Sequence, residues 1–353
     1  LAVLILLKLP FLRKQIGTIN IPHALYAGYF YALYPLSVCL FIPNFFDGVF
    51  LTFQRLFYVI FIHYLAISSV TTEQLKRFLM YSVIFVAVST IPFQLNLLAP
   101  LGEGYDLSIL GRLDPGFVGL FQNAHSASLA LAVCGLISWI LFIQERNKKL
   151  QVTYGILTLY LVFVMITTYT RSGIAVLLTG LFCYGMLSKK LARYMLITFI
   201  SSAIIILLVY NLLDTSILID RIFGRTLYSQ AMSFDLNRAS SGRLSFTRSA
   251  FEMYKESTFI ESLVGIGDTE IRSLMYQKTG WYVFSHNGFI NELVANGLLG
   301  FLIMLFFFRS IFLDIKNIKD QQIRTMGFSI YAAFLTFVLF QGGEFPLQYL
   351  LIT

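Results

Sequence analysis

Long runs of apolar residues, separated by short polar segments, dominate the chain. A helix needs about 20 apolar residues to cross the hydrocarbon core of a membrane. Such runs cover residues 24–42, 49–70, 78–99, 125–143, 151–169, 173–187, 194–213, 287–308 and 326–341, and the apolar ends add up to two more. The pattern predicts an all-α polytopic membrane protein with about 10–11 transmembrane helices, forming a single integral-membrane domain over residues 1–353.

Two longer polar segments interrupt this pattern, the first near residues 100–124 and the second over 214–285. Connections longer than about 12–15 residues are uncommon and are usually functional or disordered. The second segment also carries apolar and aromatic residues at helical spacing, namely Leu244, Phe246, Ala250, Phe251 and Tyr254. We therefore expect short helices in this long loop, packed over the membrane surface.

Charged residues are divided unequally between the two sides of the predicted spans. The short connections on one side carry fifteen basic and four acidic residues, whereas the other side carries ten basic and fourteen acidic residues. Short cytoplasmic connections of membrane proteins are enriched in Lys and Arg, so both long loops are predicted to be extracytoplasmic. We expect a multi-pass protein of the bacterial cytoplasmic (inner) membrane, with its active site on the extracytoplasmic side.

Composition separates the chain from soluble and nucleic-acid-binding proteins. It is 57% apolar and 12% charged, with a mean hydropathy of +0.75, whereas soluble domains hold about 25% charged residues. The net charge of +8 is spread over short turns and forms no basic face with interleaved aromatics, which excludes nucleic acid as a partner. Three cysteines, Cys39, Cys134 and Cys183, lie in apolar runs and match no metal motif.

Arg243 follows Ser240-Ser241-Gly242 and precedes an apolar helical pattern. The preceding residues are typical of a helix N-cap, and a helix N-terminus attracts anions and disfavours cations. An arginine in that first turn therefore predicts a bound anion. The alternative is an ordinary surface arginine in a loop that also contains Arg248.

His286 lies in Ser285-His286-Asn287-Gly288, where the long loop enters the run 287–308. A helix N-terminus disfavours the imidazolium form, so the neutral imidazole can act as a general base near neutral pH. A histidine that caps the helix at the level of the lipid headgroups is the alternative of at least equal weight.

Arg171 lies in a tight predicted outer turn, Thr170-Arg171-Ser172-Gly173. Turn geometry calls for small polar residues and does not call for arginine. The guanidinium is the side chain best suited to bidentate contact with phosphate. The alternative is snorkelling of the side chain to lipid phosphate.

Arg55 is a charged residue inside a predicted span. It lies about 10 Å below the outer edge, and Glu292 lies about 9 Å deep from the same face, at 1.5 Å per helical residue. A charge at this depth is a functional hypothesis by default, and the similar depths predict an Arg55–Glu292 ion pair. A purely structural role for this pair is slightly favoured.

Asn123 and His125 lie where the first outer loop enters a span. Both side chains can contact a sugar, although capping of the helix is the more ordinary interpretation. The sequence contains no phosphate-binding glycine-rich loop, no His-Glu-x-x-His zinc motif, no Gly-x-Ser-x-Gly elbow and no Asp-x-Asp pair in an outer loop. We predict no metal site and no cofactor.

The order and spacing of three of these motifs resemble the O-antigen ligase and O-antigen polymerase superfamily over roughly residues 100–310. Thr170-Arg171-Ser172-Gly173 resembles the family's short outer turn, and Ser241-Gly242-Arg243 resembles the start of a helix in its long periplasmic loop. Ser285-His286-Asn287-Gly288, with Gly297 and Gly300 further along, resembles the motif that leads into its next span.

The resemblance implies metal-independent glycosyl transfer from a glycan on undecaprenyl diphosphate to the hydroxyl of an acceptor glycan. Arg171 and Arg243 would hold the diphosphate, and His286 would take the acceptor proton. The further candidates for substrate binding are Arg55, Asn123, His125, Arg248, Asn287 and Glu292. The expected partners are the lipid-linked glycan, the acceptor glycan, membrane lipid, and a chain-length regulator or flippase.

Three functions stay open at this point. We favour a polymerase that joins repeat units into O-antigen, capsule or exopolysaccharide, and a ligase that transfers the glycan to lipid A core is the second choice. A transporter or flippase for lipid-linked sugars is the alternative of another class. Transporters place ionisable groups near the midplane and often show repeated halves, whereas this chain has His63 alone near mid-span and no apparent repeat.

Overall fold

The computed structural model describes residues 23–38, 45–67, 72–102, 116–121, 123–188, 243–281 and 284–340. The predicted span 194–213 and the first part of the long loop, 214–242, lie outside the described residues. Eleven helices are found within the described residues: α1 (His23–Val38), α2 (Phe45–Ile67), α3 (Thr72–Gln94), α4 (Ala124–Gln144), α5 (Lys148–Thr167), α6 (Arg171–Leu187), α7 (Arg243–Glu256), α8 (Phe259–Val264), α9 (Asp268–Thr279), α10 (Gly288–Asn317) and α11 (Gln321–Phe340).

The chain is an all-α, multi-pass membrane protein, as predicted. Five described helices, α3, α4, α5, α10 and α11, are long and apolar enough to cross a membrane, and α2 and α6 contain shorter apolar stretches. No strand is found in the described part of the chain. The total of about 10–11 spans stays a prediction, because part of the chain lies outside the description.

Helix α3 ends earlier than its predicted span. The apolar run extends to residue 99, but α3 ends at Gln94. Asn96 adopts a positive φ of 55°, and the amides of Leu97 and Leu98 both donate to the carbonyl oxygen of Pro92, at 2.8 and 3.3 Å. This turn closes the helix, so the last leucines of the run lie outside it.

One compact unit contains most of α3 together with α4, α5, α6 and α11. Helix α4 is buried over most of its length because small residues allow its neighbours to approach closely. A Cβ added at Gly135 would lie 3.4 Å from Val162 of α5, and one at Gly173 would lie 2.9 Å from Ser128. Helices α5 and α6 therefore pack directly on α4.

The other unit contains α1, α2, α8, α9, α10 and most of α7. Helices α1 and α10 pack closely, since Gly28 lies against Phe307, and the Tyr31 ring stacks on the Phe307 ring with centroids 5.6 Å apart. Gly28 also contacts Val59, which brings α2 against α1.

Helices from the long loop form a small apolar core with the start of α10, in agreement with the predicted short helices. Ala250 of α7 is fully buried in this core, but Leu244 and Phe251 of the same helix are largely exposed. The helix was predicted correctly, and two of the five residues whose spacing predicted it are exposed. The buried members are Ala250, Met253, Ile271, Met275, Val294 and Ala295.

Candidate functional site

A buried turn of hydroxyl side chains sets the position of Arg171 at the start of α6. The hydroxyls of Thr168 and Thr170 lie 2.8 Å apart, and the Thr170 amide donates to the Thr168 hydroxyl at 3.3 Å. Tyr169, between them, adopts a positive φ of 53° and is buried. Such a backbone persists only where its surroundings hold it, so Arg171 begins its helix from a fixed point.

The first outer loop packs against this turn. The Phe117 amide donates to the carbonyl oxygen of Thr167 at 2.9 Å. Gly116 has φ +77, and a Cβ added there would lie 2.8 Å from the Thr168 carbonyl oxygen. The backbone of this loop therefore supports the turn that precedes Arg171.

Arg243, the first residue of α7, donates from Nη1 to the carbonyl oxygen of Phe340 at 2.9 Å. Phe340 ends α11, and the last carbonyl groups of a helix lack intrahelical partners and carry partial negative charge. This contact offsets the unfavourable position of a cation at the start of α7, for which the sequence alone predicted a bound anion.

Arg171 and Arg243 lie at the same end of one antiparallel helix pair, α6 and α11. A Cβ added at Gly180 would lie 3.3 Å from Ala333, and the Cys183 thiol lies 3.6 Å from the Phe328 carbonyl oxygen. From this crossing Arg171 lies about 13 Å along α6 and Phe340 about 10 Å along α11, at 1.5 Å per residue. The structure thus brings two of the predicted catalytic residues to one end of this unit, where they favour an anion.

The residue that caps α10 is Asn287, and not His286. Its side-chain oxygen accepts hydrogen bonds from the amides of Phe289 and Ile290, at 3.0 and 3.1 Å. Asn287 was predicted to bind substrate, and the structure gives its amide oxygen this capping role. The alternative interpretation of His286 as a helix cap is therefore wrong.

A network of hydrogen bonds fixes the backbone on both sides of His286, whose φ is 56°. The Ser285 hydroxyl donates to the Asn291 side-chain oxygen at 2.6 Å and accepts from the Asn287 amide at 3.2 Å. The Ser285 amide donates to the same Asn291 oxygen at 3.1 Å. Histidine tolerates positive φ better than most side chains, and this network holds it there.

Helix α7 supplies a second support to His286. The Thr247 hydroxyl donates to the Ser285 carbonyl oxygen at 3.0 Å, and the Phe246 ring lies 6.0 Å from the His286 ring, centroid to centroid. Sequence analysis missed Ser285, Asn291 and Thr247 as positioning residues. The available signal was a second asparagine one helical turn after Asn287, inside an apolar run.

The predicted ion pair between Arg55 and Glu292 is present, with Nη2 and Oε2 3.8 Å apart. The Arg55 side chain is 1% exposed, and its guanidinium carbon lies 4.6 Å from the centroid of the Tyr31 ring. The Tyr31 hydroxyl donates to Glu292 Oε2 at 3.0 Å, and Asn296 donates to Oε1 at 2.8 Å. The glutamate is thus held by a cation and two hydrogen-bond donors.

Asp268, which the sequence analysis did not single out, is a second acidic partner of Arg55, at 3.7 Å from Nη2. Its side chain is 26% exposed. Burial raises the pKa of Asp268 above its ordinary value, and the nearby Arg55 and Arg272 guanidiniums offset this effect only in part. Asp268 opens α9, 213 positions after Arg55 in the chain, so no local pattern could join the two.

Helix α10 is broken at Gly297, which has φ 63° and ψ −171°. The carbonyl oxygens of Val294 and Ala295 accept hydrogen bonds from the amides of Ile266 and Gly267 in the α8–α9 connection, at 3.2 and 2.8 Å. The predicted depth of Glu292 was counted from His286, and the break lies beyond Glu292, so it does not affect that prediction.

The remaining predicted residues have ordinary surroundings. Asn123 caps α4, since its side-chain oxygen accepts from the Ser126 amide at 2.8 Å, and His125 lies partly buried in the first turn of α4. Arg248 pairs with Glu252 one turn later at 3.1 Å, and its side chain is 82% exposed. Exposed pairs of this kind contribute about 0–1 kcal/mol.

Within the ranges that the structure describes, no group of three or more His, Cys, Asp or Glu side chains is arranged to hold a metal ion. The strongest polar groupings there are the two arginines at the end of α6 and α11, the network beside His286 and the Arg55 ion pairs.

Residues 156–305 match the family model described as O-antigen ligase. The match contains Arg171, Arg243 and His286 in that order. This region is therefore similar to the O-antigen ligase and polymerase superfamily. The similarity supports a glycosyltransferase-like activity of the ligase or polymerase type, and Arg55, Asn123 and His125 precede the matched residues. No curated protein and no solved structure matches the chain significantly.

Proposed function

We propose that the chain is a membrane glycosyltransferase that polymerises undecaprenyl-diphosphate-linked repeat units at the outer face of the bacterial cytoplasmic membrane. The observation that supports it most is the position of Arg171 and Arg243 at one end of the α6–α11 pair, inside the superfamily region. Guanidinium groups bind phosphate oxygens in a bidentate manner, and a diphosphate leaving group needs such neutralisation.

In the proposed reaction the hydroxyl oxygen of the acceptor sugar attacks the anomeric carbon of the donor glycan. The bond between that carbon and the diphosphate oxygen breaks, and undecaprenyl diphosphate leaves with the bonding electrons. Arg171 and Arg243 stabilise the negative charge that develops on the leaving group, and the neutral His286 ring accepts the hydroxyl proton. The two cations take the part that a metal ion has in other sugar transfers, so we propose a metal-independent reaction.

The backbone at His286 supports its role in this proposal. A positive φ at a residue other than glycine costs of the order of 1 kcal/mol or more and is concentrated at functional sites. Ser285, Asn287 and Asn291 all participate in holding this conformation. A histidine without a functional role could adopt a negative φ and would not require these hydrogen bonds.

A ligase is the second candidate, and the family description itself favours it. It would use the same donor and the same three residues, but its acceptor would be a lipid A core. We place the polymerase first because lipid A core exists only in Gram-negative cells, whereas the abundance of Phe and Ile in the sequence is compatible with a low-GC organism of either type.

The test uses purified protein in nanodiscs, a lipid-diphosphate-linked repeat unit and EDTA. Wild type is expected to give a ladder of longer glycans on a gel, and the His286→Ala variant is expected to give none. His23→Ala is a matched control, because His23 is an exposed histidine at the start of α1. A ladder from His286→Ala equal to that of wild type would contradict the role of His286.

The acceptor distinguishes the candidate functions. A product on added lipid A core, with no ladder, would identify the ligase. If folded protein transfers an intact donor to neither acceptor, the glycosyltransferase proposal fails, and transport of the lipid-linked sugar across vesicles becomes the next measurement.

A further inference from the structure

The first nine residues of α10 form a short helix whose orientation is not fixed by the remainder of α10. Gly297 interrupts the helical backbone with φ 63° and ψ −171°, and an interrupted backbone does not transmit orientation as a continuous helix does. The segment 288–296 therefore depends on its lateral contacts for its position. His286 lies two residues before this segment.

Besides the apolar core around Val294 and Ala295, three sets of polar contacts hold this segment. At its start, Ser285 and Asn291 share two hydrogen bonds. At its end, two backbone hydrogen bonds join it to the α8–α9 connection. Between these, Glu292 pairs with Arg55 of α2 at 3.8 Å. Only this last contact depends on ionic charge.

The same guanidinium also reaches the long loop. Arg55 Nη2 lies 3.7 Å from Asp268, the first residue of α9. Its Nη1 donates to the Tyr31 carbonyl oxygen of α1 at 3.5 Å. Arg55 thus joins α1, the loop helix α9 and the short helix after His286 at a single buried cation.

We propose that Arg55, through its ion pairs with Glu292 and Asp268, is a positioning residue that fixes the short helix 288–296 and thereby places His286 for proton transfer. The proposal rests on the function of His286 proposed above. It gives Arg55 and Glu292 a part in the reaction without contact to the substrate, which differs from the substrate-binding role predicted from the sequence.

A buried cation between two carboxylates keeps its geometry well. Neutralising one carboxylate leaves Arg55 paired with the other alone, so the guanidinium no longer joins the short helix and α9 through charge, and the contacts around it rearrange. Glu292→Gln and Asp268→Asn keep the shape and most hydrogen-bonding capacity of the side chain and remove only its charge. A shift of about 1 Å in a catalytic group can lower a rate by about 100-fold.

The kinetic test measures glycan transfer by Glu292→Gln and Asp268→Asn. We expect kcat to fall by about 10-fold or more while KM for the lipid-linked donor changes by less than about 3-fold, as for a loss of transition-state geometry alone. Glu256→Gln is the control, because Glu256 forms an exposed ion pair with Lys278 in the same unit. An unchanged kcat in both test variants, or a loss confined to KM, would overturn the proposal.

A double-mutant cycle shows whether the effect passes through His286. In the His286→Ala background, a single transfer too slow to build a ladder can still be followed, and Glu292→Gln is expected to leave this residual rate unchanged, because there is no base left to misplace. If Glu292→Gln lowers the residual rate by the same factor as in wild type, Arg55 and Glu292 act on another part of the reaction.

Hydrogen exchange followed by mass spectrometry tests the same contact without activity. In Glu292→Gln and Asp268→Asn we expect faster exchange of amides in 285–296 and unchanged exchange in 300–317, because the break at Gly297 separates the two parts of α10. Faster exchange along all of α10, or in neither part, would overturn the proposal. If the exchange pattern holds but wild type transfers no glycan, the proposed function fails and the ionic contact stands as structural.

Discussion

At the residue scale, Arg171 and Arg243 both open a helix, a position that disfavours a cation by about 0.3–1 kcal/mol. Hydrogen bonding to the Phe340 carbonyl oxygen offsets this cost for Arg243. In the proposed reaction a bound anionic substrate offsets the same cost at both helix starts.

Replacing either arginine with lysine keeps the charge and removes the planar pair of donors. We expect Arg171→Lys and Arg243→Lys each to lower kcat/KM for the lipid-linked donor by about 10- to 100-fold, because a charge-assisted hydrogen bond contributes about 1.5–3 kcal/mol. Initial rates against donor concentration give this ratio. Arg324→Lys is the matched control, since Arg324 lies in the first turn of α11, at the opposite end from Phe340. Equal kcat/KM in test and control variants would contradict phosphate binding by these residues.

The sequence could reveal residues of the site that mark a helix end, and it could not reveal partners from distant parts of the chain. Arg171, Arg243 and His286 were proposed because each lies where a polar loop meets an apolar run. Asp268 and Asn291 were missed. Their roles come from contacts with Arg55 and Ser285, and an acid in a loop or an asparagine in a helix has many ordinary uses.

At the element scale, the interrupted helix α10 and the α8–α9 connection form one unit of structure. Gly265 and Gly297 bring the two backbones together, since a Cβ added at Gly265 would lie 2.1 Å from the Ala295 carbonyl oxygen. Non-helical backbone in a membrane helix is tolerated where other protein groups satisfy its hydrogen bonds. The amides of Ile266 and Gly267 supply those bonds here.

Gly297→Ala tests this close approach. A Cβ at that position would lie 2.5 Å from the backbone of Leu263, and the positive φ adds strain, so we expect a loss of unfolding free energy of about 3 kcal/mol or more. Gly280→Ala is the control, because Gly280 also has a positive φ, of +76, but has no atom within 4 Å of an added Cβ. Its loss should be about 1 kcal/mol.

Thermal unfolding in detergent, followed by a fluorescent thiol or tryptophan signal, ranks the two variants. Equal melting temperatures for Gly297→Ala and Gly280→Ala would mean that the Leu263 backbone moves away easily, and the close approach would then have no stabilising role.

The sequence predicted most elements and could not predict this break. Apolar runs long enough to span a membrane leave few alternatives, so the described spans agree with prediction apart from their ends. Nothing in the sequence distinguishes Gly297 from Gly300, since both are glycines within one apolar run. Gly300 is helical and lies against the Tyr34 ring, whereas Gly297 has a positive φ. The difference comes from the α8–α9 connection, which reaches α10 from about 30 residues earlier in the chain.

At the scale of the whole molecule, the distribution of charge predicts on which side each loop lies. The positive-inside rule predicts that the α10–α11 turn is cytoplasmic and that the loop helices α7, α8 and α9 lie outside. The donor proposed here is presented at the outer leaflet, so this orientation is a requirement of the proposed function as well as a prediction of topology.

Single cysteines on the two sides of α10 test the orientation. Gln277 in α9 and Gln322 in α11 are both exposed glutamines, so Gln277→Cys and Gln322→Cys form a matched pair in a background with Cys39, Cys134 and Cys183 replaced by serine. In intact spheroplasts a membrane-impermeant maleimide is expected to label Gln277→Cys, and to label Gln322→Cys only after lysis. The reverse pattern would place His286 at the cytoplasmic face, where a donor held in the outer leaflet cannot reach it, and both the topology and the proposed reaction would then fail together.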